Sequence, residues 1–456
     1  MGYNFLPYDQ NQLYLLPPSL NEWVPEESLP RFIDEVVETL DMKGRLQGFY
    51  ERYRADGWGR AAYHPKMMVK VFIYAYCHGI TSSRRIARGL ENDVGLRYLS
   101  ANQQPDFRTI ADFRKGNLET LRGLHIEVLE LCREAGLMKM GRVALDGRKV
   151  AGNAALARNR TRRALEAEVD KILAEAERVD AEEDALYGEE NRGDELPEEL
   201  RSSKGRLQRL QQAVERLEEA GREAREAQEQ KIAVREKEEA STGKKKRGRK
   251  PKAPDEVVNT EAKANTTDPD SRIMKNNKGY VQGYNCQAVV DCQSQVIVAQ
   301  AVTQDENDYA QLAPMLAECE KQTGDRPEEL TADAGYWTDE NAALEDDRTE
   351  LFIATKKDWK QRKALAEQGP PRGRIPKNAT ARDKMERKLL TVRGRAAYRQ
   401  RGSTVEPVFG QMSTRGLNRF VMRGRGNVGM EWSLWCATHN ILKLWRFGYA
   451  PVTVGW

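Results

Sequence analysis

The sequence predicts an α/β protein: a mixed sheet with flanking helices, preceded by an all-helical N-terminal unit and interrupted by a helical hairpin. Three observations carry this. Apolar residues recur at helical spacing from His64 onward, short apolar runs end in carboxylates or turns at 142–147 and again over 280–355, and a long Glu-rich stretch lies between them.

At 456 residues the chain exceeds one ordinary domain, so two or three folded units are expected. A hydrophobic content of 39% with 32% charged residues supplies a sizeable core and a water-compatible surface. No apolar run reaches the length of about 18 residues that a membrane helix needs, so no membrane association is expected. The N-terminal text MGYNFLPYDQNQLYLLPPSL lacks the basic start and apolar stretch of a signal peptide. Six scattered cysteines without CxxC spacing argue against zinc or a disulfide framework and fit a reducing cytoplasm. The net charge of +4 is unevenly spread, with Glu concentrated over 164–240 and Lys and Arg over 244–252 and 393–425. Basic tracts of this kind are where a polyanion is expected to bind.

The first unit, 1–135, is read as a helical DNA-binding domain. Met67, Met68, Val71, Phe72 and Ala75 form a helical stripe, Gly79 stops it, and TSSRRIARGL starts a short basic helix carrying Arg84 and Arg85. Helix, Gly-containing turn and helix have helix-turn-helix character. A plain bundle whose arginines only solvate its surface fits these residues equally well.

The core begins at 140–156, where Arg142–Gly147 reads as a buried strand ending in Asp146. It resumes over 266–448. Tyr280–Asp291 and Gln295–Thr303 read as a strand hairpin, followed by a helix over Tyr309–Thr323, a strand Glu329–Asp333, a helix from Thr338 and a strand Glu350–Thr355. Between the two parts, 157–238 carries apolar stripes at Leu165, Val169, Ile172, Ala176 and Val179, and at Leu207, Leu210, Val214 and Leu217. With turn chemistry from Tyr187 to Pro197, this predicts two antiparallel helices of about 40 Å each. A single charged helix, partly disordered, is the plainer alternative. Residues 239–265 have little to bury and read as a basic flexible linker.

Three acidic residues stand where acidity is expensive: Asp146 and Asp333 at strand ends, and Glu406 within the apolar Thr404–Phe409 stretch. Any one alone is more simply a cap or a structural acceptor. Together, beside a polyanion-binding surface, they suit phosphodiester chemistry. Two divalent ions roughly 3.5–4 Å apart activate a hydroxyl and stabilise the leaving oxyanion, and clustered carboxylates need such cations to relieve their repulsion.

Several stretches resemble bacterial insertion-sequence transposases with a DDE active site, of the IS4/IS5 superfamily and its IS1182-like group. They are HPKMMVKVFIYAYCHGITSSRRIARG, VALDGRKVAGNA, TDPDSRIMKNNKGYVQGYNCQAVVD, TQDENDYAQLAPML, TADAGYW and YRQRGSTVEPVFGQM. The resemblance implies an RNase H-like catalytic core, Mg²⁺ or Mn²⁺ as cofactor with two ions, and double-stranded DNA (terminal inverted repeats and target) as partner. It also implies a homodimer on DNA. Its catalytic and metal-binding residues fall on Asp146, Asp333 and Glu406. The family signature around the glutamate is Tyr, two residues, Arg, three residues, Glu, six residues, Lys. Tyr398 and Arg401 match its first pair and would grip the terminal phosphate. Four residues rather than three then precede Glu406, Ser413 stands in the Lys position, and Arg415 is a substitute phosphate contact.

Arg247-Gly248-Arg249 resembles an AT-hook core for a narrow minor groove, and a nonspecific basic linker or a nuclear-import tract are the other readings. Asp268-Pro269-Asp270 reads as a turn, with a carboxylate placed near the site as the other reading. His64, His78 and His125 have no ligand spacing, and His439 on an apolar terminal helix (Trp432–Trp445) reads as packing. Three functions stand in order: a transposase, a metal-dependent nuclease or resolvase of the same fold, and a transposase-derived DNA-binding protein without catalysis. Retention of all three carboxylates counts against the last.

Overall fold

The protein is seen here in a computed structural model that describes residues 19–53, 61–172, 174, 198–243, 245, 250–257, 261–276, 279–376 and 378–450. The N-terminal helices are α1 (Leu20–Trp23), α2 (Leu29–Met42), α3 (Pro65–Cys77), α4 (Ser83–Asn92), α5 (Val94–Leu99), α6 (Phe107–Gly116) and α7 (Leu118–Glu134). Proline opens both α2 and α3, where its missing N–H costs no hydrogen bond. In α2, Phe32, Ile33, Val36, Val37 and Leu40 make the buried stripe. Almost every residue of α3 is buried, because helices pack around it. Gly79 ends it at φ +68° with no room for a Cβ, which would stand 1.6 Å from the Arg415 carbonyl oxygen.

A six-stranded sheet follows, built from β1 (Arg142–Ala151), β4 (Arg272–Asn276), β5 (Gly279–Asp291), β6 (Ile297–Thr303), β7 (Glu329–Ala332) and β8 (Glu350–Ile353). The order is β4-β5-β1-β7-β8, with β6 also on β5. β5 runs antiparallel to β1, β4 and β6, whereas β1, β7 and β8 are parallel. This is the mixed sheet that the sequence predicts. Gly283 is where β5 crosses closest to β1, since a Cβ there would lie 2.0 Å from the Val150 carbonyl oxygen.

Helices α11 (Leu312–Thr323), α12 (Asp339–Ala342), α13 (Asp358–Glu367), α14 (Ala381–Leu389), α15 (Val392–Thr414) and α16 (Arg425–Arg446) complete the core. α15 packs on β1, β7, β5 and β8. α16 packs on β6 on one side and on α7 and α3 on the other, so one hydrophobic core runs through both the N-terminal helices and the sheet. Asn440 of α16 binds the edge of β6 twice, accepting from the Ile297 N–H at 2.8 Å and donating to its carbonyl at 2.9 Å. His439 contacts the Gln295 carbonyl at 2.9 Å and burial pushes its pKa down to about 3, which is the packing role predicted for it. All six cysteines are free and buried. Among the described residues no helix is long and apolar enough to cross a membrane.

Several boundaries move. The strand predicted to end at Gly147 continues to Ala151, because β5 pairs with it over its whole second half. The helix predicted from Tyr309 begins at Leu312, and the one from Thr338 is a single turn capped by the Thr338 hydroxyl. The arginine-rich helix and the Glu406 stretch are one helix, α15, despite Pro407 within it. The carbonyl that Pro407 cannot serve, that of Ser403, accepts instead from the Gln295 side chain at 3.1 Å.

The Glu-rich stretch departs from a two-stranded ladder in which β2 (Asn159–Thr161) pairs antiparallel with β3 (Lys263–Asn265). Its described helices are α8 (residues 162–172) and α9 (Glu198–Thr242). Leu165 of α8 packs on Leu210 and Ala213 of α9, with Val169, Ile172, Val214 and Leu217 around them. The turn predicted between the two arms lies outside the described residues, as do Ala176 and Val179. The predicted flexible linker is shorter than 239–265 at both ends, since α9 runs to Thr242 and Lys263–Asn265 is strand. Part of it is held against α9: Gln228 donates to the Lys252 carbonyl at 2.7 Å, and Arg225 pairs with Asp255 in the first turn of the short helix α10 (Pro254–Val257).

Candidate active site

Parallel pairing sets two of the three predicted carboxylates side by side. Leu145 of β1 stands opposite Ala332 of β7, so the next residues in each strand direction are Asp146 and Asp333. Asp333 leaves the strand as the cap of a tight turn, accepting from the Gly335 N–H at 2.8 Å. Asp146 likewise accepts from the Gly147 N–H at 2.9 Å. The Arg401 guanidinium lies between them, with Nη2 3.1 Å from Asp146 and 3.8 Å from Asp333.

The electrostatics follow from this crowding. Burial pushes the Asp146 carboxyl up to about 7, opposed by Arg401 and reinforced by Asp333. Burial also raises Asp333, again against the pull of Arg401. For Arg401, burial works against its charge, but Asp146 and Asp333 outweigh it and the guanidinium is held more firmly protonated.

A fourth carboxylate, Asp308, stands close by and was given no role from sequence. It accepts from Asn285 at 2.7 Å and from Gln287 at 2.8 Å, both on β5, and its charge raises Asp146 and Asp333. Tyr336 ties the Asp333 turn to the same network by donating to the Gln287 side-chain oxygen. Gly147 is required here: a Cβ would lie 2.3 Å from Gln287 and 2.6 Å from Asp308. The acidic density of Asp305-Glu306-Asn307-Asp308 was the available signal.

Glu406 is on α15 with Arg401 but faces elsewhere. Five residues at about 100° each place it roughly 140° round the helix from Arg401, and that is the effect of the one extra residue between them. Its carboxylate pairs with Arg362 of α13 at 2.9 Å, both side chains more than half exposed. Among the described residues no group of three or more acidic, His or Cys side chains is gathered closely enough to hold a metal ion. The pair that is gathered nevertheless fits one. Asp146 and Asp333 offer only oxygen ligands, repel each other, and already draw a cation between them, and Mg²⁺ keeps several waters, so few protein ligands suffice.

Tyr398 and Arg401 are not surface grips for a phosphate. Both sit on the buried face of α15, 3% and 4% exposed, because helical spacing aligns them with Ala397, Val405 and Val408. Tyr398 donates to Asp358 at 2.9 Å, and Arg362 pairs with Asp358 as well as Glu406. Arg401 and Glu406 do line one cavity of about 310 Å³. Ser413 turns back to its own helix, donating to the Phe409 carbonyl, and Arg415 is folded over the Trp435 ring, 5.4 Å away, with its terminal nitrogens enclosed. Arg415 is therefore no direct substitute for the missing lysine. Arg84 and Arg85 stand exposed on α4, and the turn ahead of them is held by Arg114, which donates to the Thr81 carbonyl at 2.9 Å. Arg247 and Arg249 lie outside the described residues. Asp268 is structural, buried and accepting from Tyr284 and the Gly424 N–H.

Residues 18–116 match a family described as "Transposase domain (DUF772)", and residues 370–445 match one described as "Transposase DDE domain". Both matches support an insertion-sequence DDE transposase. The pairing of these two domains fits the IS1182-like group. The second match contains Tyr398, Arg401 and Glu406 of the transposase, while Asp146 and Asp333 lie outside both matched spans. No curated protein and no solved structure matches the chain.

Proposed function

We propose that this transposase binds the terminal inverted repeats of its insertion sequence as a homodimer and catalyses strand cleavage and strand transfer at Asp146, Asp333 and Glu406. The observation that carries this reading is the register of β1 and β7, which sets Asp146 and Asp333 together beside the helix that bears Glu406. The strand order supports an RNase H-like core: β1, β5 and β6 are antiparallel neighbours in chain order, β7 and β8 are added parallel on the far side of β1, and β4 is an additional strand on β5.

Asp146 and Asp333, joined by Glu406, would hold two Mg²⁺ or Mn²⁺ ions, which when bound activate the attacking hydroxyl and stabilise the departing oxyanion. The protein's own contribution is positional. Asn285 and Gln287 fix Asp308, Gly147 leaves the space beside Asp146 open, and Arg401 balances the charge of the two aspartates. Glu406 joins them by turning off Arg362, a small cost for a pair so exposed. Exposed Arg84 and Arg85 on α4 supply backbone contacts to the repeats.

The test is cleavage and joining of a labelled fragment carrying the element's own ends, with Mg²⁺ and with EDTA. Metal-dependent joined products that vanish in Asp146→Asn support the proposal. Nicks without joining point to a nuclease, and DNA binding with neither points to a catalytically silent protein.

A further inference from the structure

A second basic feature lies away from the carboxylates, where the Glu-rich stretch meets the sheet. A cavity of about 360 Å³ there is lined by Arg158, Arg160, Arg206, Arg209 and Arg423, against the single carboxylate of Glu168. We propose that this groove seats the sugar-phosphate backbone of duplex DNA flanking the cleaved position. The proposal rests on the transposase reading for the identity of the polyanion.

The arginines come from separate segments that the fold brings together. Arg158 and Arg160 stand at the β2–β3 ladder, Arg206 and Arg209 one turn apart on α9, and Arg423 just ahead of α16. The packing of Leu165 on Leu210 and Ala213 fixes α9 over the ladder. Among the described residues neither Arg158 nor Arg209 is in an ion pair. Arg423 commits only Nε, to the Asn153 carbonyl at 3.0 Å, and Arg160 commits only Nη1, to two local carbonyls. Their remaining N–H groups form forks suited to phosphate oxygens. Arg206 does pair with Glu168, but its side chain is 58% exposed, so a phosphate can displace that partner.

The neighbouring surface shows that this is not a uniformly basic helix. About two turns beyond Arg209 along α9, Arg216 is neutralised by Glu219 at 2.5 Å and Asp270 at 2.9 Å. Unpaired positive charge is concentrated in the groove, next to the hydroxyl-bearing Thr266 and Thr267.

Position fits a flanking duplex. The groove opens past the Ala151 end of β1, as the Arg423–Asn153 contact places it. Ala151 is five residues beyond Asp146, about 17 Å along a strand. B-DNA advances about 3.4 Å per base pair, so the groove meets backbone about five base pairs or more from a phosphate held at Asp146. α9 and the ladder thus become one wall each of a clamp that reads no bases.

The experiment compares the full chain with Arg206→Gln/Arg209→Gln, both exposed positions, and with Arg158→Gln/Arg423→Gln from the opposite wall. Binding to a generic duplex of about 30 base pairs, roughly 100 Å long, is measured over a range of salt, and cleavage is measured in parallel. Each lost phosphate contact removes about 0.9 from the slope of log K against log salt. Either double variant should therefore flatten the slope by nearly two. Equal slopes in parent and variants overturn the groove, and if the parent still cuts and joins, the transposase reading survives. Flattened slopes in the variants, with a parent that never cuts, keep the groove and remove the transposase reading. A parent that binds no duplex overturns both.

Discussion

Arg401 Nη2 lies 3.1 Å from Asp146 Oδ2, although 255 positions separate the two residues in the chain. The contact locks α15 to β1 and occupies the place between two aspartates where positive charge is needed.

Removing that charge should be costly, and metal should repair it. Arg401→Ala leaves two partly buried carboxylates unbalanced, a loss of about 1 to 3 kcal/mol once solvent screening is allowed for. Thermal unfolding should show the variant destabilised, with Mg²⁺ raising its midpoint more than the parent's. An equal Mg²⁺ response in both would mean that the aspartates do not hold the ion.

The three carboxylates should behave alike in chemistry and differ in stability. Asp146→Asn, Asp333→Asn and Glu406→Gln should each slow cleavage by about a hundredfold or more while duplex binding persists. Glu406→Gln should leave the melting temperature nearly unchanged, since its pair with Arg362 is exposed. Retention of full cleavage by Glu406→Gln would remove Glu406 from the site.

Glu431 gives a pH signature. It is fully buried on α16, accepts from the Val421 and Met422 N–H groups, and burial pushes its carboxyl up to about 7 from an ordinary 4.5. Between those values the folded chain keeps a proton that the unfolded chain has lost. Its contribution is thus full below about pH 4.5 and declines as pH rises through 7, by an amount on the order of 3 kcal/mol. Glu431→Gln has no such titration. Denaturant unfolding should show the variant gaining on the parent as pH rises from 4.5 to 7, and a constant difference across that window would contradict the assignment.

Gly79→Ala tests the junction of the helical unit with α15. The substitution meets both a left-handed backbone and the Arg415 carbonyl oxygen, for a loss of about 2 to 5 kcal/mol. Calorimetry should show one cooperative transition at lower temperature. Two separated transitions would mean that the helices and the sheet unfold independently.

Much of this was legible in the sequence, for identifiable reasons. Strand alternation and turn residues gave β5, β6 and β7 to within a few residues, and the apolar setting of Asp146 and Asp333 singled them out before their strands were known to be neighbours. What the sequence did not disclose depends on distant partners. Asp308 looks like one acid among several in a loop until Asn285 and Gln287 of β5 are seen to hold it. Tyr398 and Arg401 look like surface residues of a charged helix until the sheet covers them. The single extra residue before Glu406 was visible, but its effect, a turn of the carboxylate toward Arg362, requires the helix to run unbroken through Pro407.

The placement of α16 has a consequence for how the chain comes into being on the ribosome. Both the N-terminal helices and the edge of the sheet pack on residues 425–446, which are synthesised after every other element of the described fold. Until then the faces of α3 and α7 that meet α16 stay open, and β6 has no Asn440 to satisfy its edge. The helical unit and the sheet that bears Asp146 and Asp333 therefore mature together, once α16 has been made. A product terminated before α16 has neither a closed helical unit nor a finished sheet edge.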